Sequence, residues 1–138
     1  MILQNCPLCN SASTLFCEKP KHLFYKCDTC DGIFRPKDTF LTAEEEKEHY
    51  EKHNNDVFDE RYQAFVLPIV NAVLHDFTSE AKGLDFGSGT GPVIAKVLTD
   101  KGFQVQNYDL FFANELSLLK EKYNYVSCCE VMEHFHHP

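Results

Sequence analysis

Two Cys-x-x-Cys pairs, Cys6-Pro7-Leu8-Cys9 and Cys27-Asp28-Thr29-Cys30, restrict the first forty residues more than any other feature of the chain. Two cysteines separated by two residues can reach one ion from a tight turn, and a second such turn completes a tetrahedral thiolate set. Zn²⁺, which has no geometric preference from its d electrons, accepts that set readily. Leu23-Phe24-Tyr25-Lys26 reads as a short strand entering the second turn, and Ile33-Phe34 as the start of the strand leaving it after Gly32. The layout is that of a zinc ribbon spanning 1–40. So short a segment, poor in apolar residues, needs such a staple to fold. Cys17 and His22 lie between the pairs without knuckle spacing and are read as bystanders. With four protein ligands the site is closed, and its expected role is structural.

Seven cysteines, an odd number with four in pairs, suit a reducing compartment better than a disulfide framework. No apolar run reaches the roughly 18 to 20 residues of a membrane-spanning helix, and no secretory leader is visible. A cytoplasmic location away from membranes is therefore expected. The net charge of -8 is concentrated in 41–80, which holds three Lys or Arg against ten Asp or Glu. Residues 1–40 hold only five basic residues and no basic-aromatic stripe, so nucleic acid is a disfavoured partner.

The acidic stretch 41–80 reads as a helical linker. Thr42 with Glu45 has capping-box spacing, and Glu44, Glu45 and Glu46 suit the first turn of a helix over 43–53. His49 and His53 share one face of it, as two metal ligands would, but no third ligand is evident and a surface pair is the expected reading. From Glu60 to Phe77, Tyr62, Phe65, Val66, Ile69, Val70, Val73, Leu74 and Phe77 recur at steps of three and four, an apolar stripe suited to packing on the domain C-terminal to it. Pro68 conflicts with it, so the spacing predicts either a kink there or a second helix beginning there.

The third segment, 81–138, carries the chemistry. Leu84-Asp85-Phe86 runs as a short strand into Gly87-Ser88-Gly89-Thr90-Gly91, and Pro92 marks the start of a helix through Val93, Ile94, Val97 and Leu98. Gly102 ends that helix, and a second strand over 103–108 ends at Asp109. A dinucleotide fingerprint would need glycine at position 92, where this chain has Pro92, which disfavours a nicotinamide cofactor. Tyr125-Val126-Ser127-Cys128-Cys129 reads as a buried strand with core thiols, followed by Glu130-Val131-Met132-Glu133-His134-Phe135.

Asp85 with Gly87, Gly89 and Gly91, then Asp109, then Glu-Val-Met-Glu-His in that order resemble the S-adenosylmethionine-dependent methyltransferases of the seven-strand, Rossmann-like class. The resemblance extends over essentially the whole chain, ribbon included. It implies an α/β fold in which a partial Rossmann-like parallel sheet, an incomplete methyltransferase domain, follows the zinc-ribbon module and helical linker. It implies cofactor contact at Asp85, Gly87, Gly89, Gly91, Asp109 and Glu130, with Asp109 on the ribose hydroxyls. Glu130 and His134 are the candidates for a chemical role, His134 as general base. The expected activity is methyl transfer to a small-molecule acceptor. A zinc-ribbon adaptor on a non-catalytic scaffold is the competing reading.

Two departures accompany the resemblance. Only Leu110 to Asn124, with Leu116, Leu118 and Leu119 for a short helix, fill the interval where the class has a further strand and helix. The sequence stops at Pro138 with three of seven strands, so a fragment, inactive alone, is expected. An oligomer covering the open sheet edge is one remedy for its unpaired backbone.

Overall fold

In the computed structural model, residues 4–53 and 55–138 are described. They divide into two compact units, the chain up to Ala43 together with Met132–Pro138, and Glu44–Val131. Among the described residues no helix is long and apolar enough to cross a membrane.

The first unit is a four-stranded antiparallel sheet in the order β1 (Gln4–Asn5), β2 (Ala12–Lys19), β3 (His22–Cys27) and β4 (Ile33–Phe34). β2 is the element the sequence hid, because Ala-Ser-Thr-Leu-Phe-Cys-Glu-Lys buries only Ser13 and shows no apolar alternation. It pairs with β3 from Ser13↔Cys27 to Lys19↔His22, leaving Pro20 and Lys21 as the turn, and bulges between Leu15 and Cys17. Asn10 and Asp31, each just after the second cysteine of a pair, have φ of 59° and 60°. Short polar side chains tolerate this left-handed conformation better than most. It reverses the chain so that the Cys6 and Cys27 amides donate to Ser11 O and Gly32 O, both at 2.9 Å.

The second unit layers two helices on a parallel sheet. α1 (Ala43–Lys52) precedes α2 (Glu60–Asp76), then β5 (Lys82–Phe86), α3 (Val93–Asp100), β6 (Gln104–Tyr108) and β7 (Tyr125–Ser127) follow. The strand order is β6-β5-β7, both pairings parallel. Asp59 caps α2 by accepting from the Arg61 amide at 2.9 Å. The helix continues through Pro68 without a second start. Ala64 and Pro68 both face solvent, where a carbonyl deprived of its amide donor can be hydrated. The stripe buries Val66, Val70 and Val73 against Val93, Ile94 and Leu98 of α3, with Ala81, Phe103 and Tyr125 completing the core. These helices, from Glu44 on, thus share a unit with the sheet.

Two expectations are corrected. β7 ends at Ser127, its last pairing being Asp85↔Ser127 although β5 runs on to Phe86, so Cys128 is exposed and Cys129 packs half-buried against the core from the loop that follows, rather than both lying in a core strand. Leu116, Leu118 and Leu119 form a single 3-10 segment, Leu116–Lys120, whose residues are not buried.

Candidate functional site

The second turn of the ribbon folds about its first cysteine. The Thr29 and Cys30 amides both donate to Cys27 Sγ at 3.4 Å, which orients that sulfur inward. Across the two turns, Cys6 Sγ lies 3.6 Å from Cys30 Sγ and Cys9 Sγ 3.5 Å from Cys27 Sγ, with all four within 4.8 Å of one another. These separations far exceed a disulfide of about 2.05 Å, and all four thiols are free. Cys17 and His22 stay outside the set. The protons on these sulfurs are unequally held. Hydrogen bonds from Ser11 lower Cys9 to about 6. Cys30 receives a backbone bond from Gly32 that acts to lower it, yet crowding by the Cys27, Cys6 and Cys9 sulfurs pushes it up to about 12. Four sulfurs so close cannot all shed protons without a cation among them. The cluster can therefore chelate a metal ion.

In the second unit, parallel pairing brings the carboxyl ends of β5, β6 and β7 to one edge of the sheet. The glycine loop leaves β5 there and is tied at once to the end of β6. Gly87 N and Ser88 N donate to Tyr108 O at 2.8 and 3.1 Å, and Gly89 N donates to Asp109 Oδ2 at 2.9 Å. Asp109 Oδ1 accepts from Phe111 N and Phe112 N at 2.9 and 3.2 Å, fixing the loop after β6. The buried Asp109 carboxylate thus fastens two loops together, and these bonds leave Oδ2 one further lone pair.

The three glycines have different reasons to be glycine. Gly87, at φ 74°, lies where a Cβ would strike the Val131 side chain. Gly91 is overlain by the Asn55 carbonyl, so a Cβ has no room. Gly89, at φ 66°, has open space where a Cβ would be, with nothing within 4 Å. The chain leaving α1 crosses the same loop. Thr90 Oγ1 donates to His53 O at 3.4 Å, and Tyr50 sets its ring 6.2 Å from that of Phe111.

A family profile described as a methyltransferase domain matches residues 58–138, from just before α2 to the last residue. The chain belongs to this methyltransferase-domain family. No curated protein and no solved structure matches it at a significant level. α1 and the ribbon lie outside the matched region.

The remaining residues of this methyltransferase domain sort by depth. Asp85 is 4% exposed and accepts from Ser127 Oγ at 2.9 Å. Burial raises its carboxyl to about 6, against the lowering effect of the Ser127 bond and with help from the Asp109 charge. No cation contributes to that balance. Glu130 follows β7 with φ 53° and is exposed. His134 is exposed in the 3-10 turn Met132–His134 and falls in the other unit, 4.0 Å from Glu133 Oε1. Glu130 belongs to the unit of the glycine loop, next to the Val131 that overlies Gly87. Two cavities stand out among the described residues, about 530 Å³ beside Cys6–Asn10 and Arg35, and about 380 Å³ at Lys82 and Gln104–Gln106. Neither includes the glycine loop, which is closed down on Asp109 and Asn55. Ser127 and the contacts of His53 and Asn55 with the glycine loop were missed from sequence. Ser127 sits two positions after Tyr125 on the same strand face, a signal readable only once β7 is known to flank β5.

Proposed function

We propose that the glycine loop and Asp109 form a binding site for S-adenosylmethionine, and that the chain contributes to methyl transfer to a small-molecule acceptor. The observation that carries this reading is the Gly89–Asp109 bond, which couples a bare loop to an acidic residue at the end of the neighbouring strand. The residues suit the group. Open space at the missing Gly89 side chain lets the cofactor approach backbone. The remaining lone pair on Asp109 Oδ2 can accept from one ribose hydroxyl. Asp85, buried without a cation, is matched to the cofactor's ammonium, directly or through water. When bound, that cofactor supplies a methyl group on a sulfonium, already activated for in-line displacement. The chain's own work is then positioning and exclusion of water. Gly87 and Gly91 hold the loop shape through Val131 and Asn55, and Glu130, at the carboxyl edge of the sheet, is available to the acceptor side. A general-base role for His134 belongs to the same proposal.

For the ribbon we read a structural Zn²⁺ on Cys6, Cys9, Cys27 and Cys30. Zn–S bonds of about 2.3 Å in a tetrahedron put sulfurs about 3.8 Å apart, close to the 3.5 and 3.6 Å pairs. A reducing, cytoplasmic setting would keep those thiols available.

Calorimetric titration of the full chain with S-adenosylmethionine and, separately, with NAD tests the cofactor reading. Binding of the methyl donor alone is expected, weakened at least tenfold by Gly89→Ala, which fills the open space, and by Asp109→Asn. Binding of NAD in its place, or methyl-donor binding unaffected by both substitutions, would sink the assignment.

A further inference from the structure

His49 and His53 share a helix face by their spacing alone, and the structure adds a geometry to that pair. Their Nε2 atoms lie 3.1 Å apart, both rings are exposed, and the ring centroids are 4.7 Å apart with planes inclined at 68°. One explanation is a hydrogen bond between the imidazoles. A head-on N–H···N bond of that length would hold the centroids about 5.3 Å apart, because each ring extends straight back from its nitrogen. The observed centroids are closer, so the two rings are bent about their nitrogens, a geometry that suits a bent N–H···N bond when the pair is empty and an ion between the nitrogens when it is filled. An ion about 2.1 Å from each nitrogen would subtend about 95° between them and would hold the centroids about 4.7 Å apart. That angle is nearer the right angle between neighbouring ligands in octahedral or square-planar coordination than the tetrahedral one.

We propose that His49 and His53 form a second metal site, a two-imidazole chelate for an octahedral or square-planar divalent ion of the Ni²⁺ type, with water in the remaining positions. It is chemically unlike the ribbon. Four thiolates select a soft tetrahedral ion, whereas imidazole nitrogens with open positions accept ions of the middle and late first row. The surroundings favour a cation, since α1 also carries Glu44, Glu45, Glu46, Glu48 and Glu51. The site lies in α1, outside the region matched to the methyltransferase family, and its existence does not depend on methyl transfer. Its place gives it a consequence. His53 directly follows the last residue of α1, its carbonyl accepts from Thr90 Oγ1, and Asn55 lies over Gly91. An ion bridging residues one turn apart pins that turn, and with it the chain that crosses the glycine loop.

The test uses the tag-free, zinc-loaded full chain titrated with Ni²⁺ by calorimetry, with total zinc assayed before and after. One Ni²⁺ per chain is expected in addition to the retained zinc, together with perturbed imidazole NMR signals from His49 and His53. His49→Ala and His53→Ala should each weaken Ni²⁺ binding at least tenfold while zinc content stays unchanged. Both positions are exposed on a helix that alanine favours, so the variants should fold. His136→Ala and His137→Ala should bind Ni²⁺ as the parent does. No Ni²⁺ uptake, uptake that only displaces zinc, or uptake that survives His49→Ala and His53→Ala would overturn the proposal.

Discussion

Among the described residues of the ribbon unit the buried side chains are Cys6, Ser13, Tyr25, Cys27 and Pro36, two of them candidate metal ligands. In the second unit Val66, Val70, Val73, Val93, Ile94, Leu98, Phe103 and Tyr125 form one contiguous apolar cluster. The ribbon exposes Leu8, Leu15, Phe16, Leu23 and Ile33, residues that a conventional core would enclose. Burial of apolar surface contributes about 25 cal/mol per Å², so the second unit holds its own driving force and the ribbon holds little. The difference teaches where each fold resides, in packing for the second unit and, under the proposed zinc site, in coordination bonds for the ribbon.

Removing the metal should break this comparison open most widely. Structural Zn²⁺ sites in small domains contribute roughly 10–16 kcal/mol at neutral pH, which is folding free energy. Cys27→Ala removes the sulfur that receives two amide hydrogen bonds as well as a coordination bond. It should abolish amide dispersion and exchange protection through β1–β4 while leaving signals of α2, α3 and β5 in place. A ribbon that stays folded in Cys27→Ala, or a second unit that unfolds with it, would mean the two are not stabilised separately.

The converse substitution is Leu98→Ala. Leu98 is fully buried in α3 against the Val66–Val70–Val73 stripe. A large-to-small change at such a site costs about 3 kcal/mol through lost burial and the cavity left behind. Urea denaturation followed by the near-ultraviolet signal of Tyr125 should show that loss, with zinc content unchanged. Loss of metal in Leu98→Ala would show that the ribbon borrows stability from the core.

How far the sequence foretold each region follows the same division. The cysteine pairs and the glycine loop were legible because chemistry fixes their spacing, and the α2 stripe because burial on one side of a helix imposes a period near 3.6. β2 was not legible, since a strand whose partner supplies hydrogen bonds but no core has no reason to alternate. The continuity of α2 through Pro68 was open because its resolution depends on exposure of Ala64 and Pro68, a tertiary property. Cys128 and Cys129 were misjudged because apolar character predicted strand length, whereas pairing with β5 stops at Ser127. At the site, residue types announced Asp85, Gly89 and Asp109. Their links through Ser127, Phe111 and Asn55 required knowing which strand ends meet.

The effect confined to the narrowest conditions is also the one that sharpens the contrast. Each unit buries acidic groups, but the ribbon's are arranged to share a cation and Asp85 in the core has none in its balance. Burial holds the Asp85 carboxyl at about 6, above its ordinary value of 3.8, so the fold prefers the protonated form. The stability this confers is complete below about pH 4 and is lost as pH rises through about 6. A shift of this size corresponds to about 3 kcal/mol. Asp85→Asn keeps the shape and removes the charge, with its amide oxygen still able to accept from Ser127 Oγ. The variant should therefore equal the parent below about pH 4 and exceed it by about 3 kcal/mol at pH 7, the gap opening between those values. The comparison is made at each pH by urea denaturation, so that protonation of the ribbon thiols cancels between the two proteins. The same substitution should weaken S-adenosylmethionine binding, because the buried charge that costs stability is the one matched to an ammonium. A variant no more stable at pH 7 than at pH 4 relative to the parent would show that Asp85 already has its counter-charge, and the second unit would then resemble the ribbon more than its packing suggests.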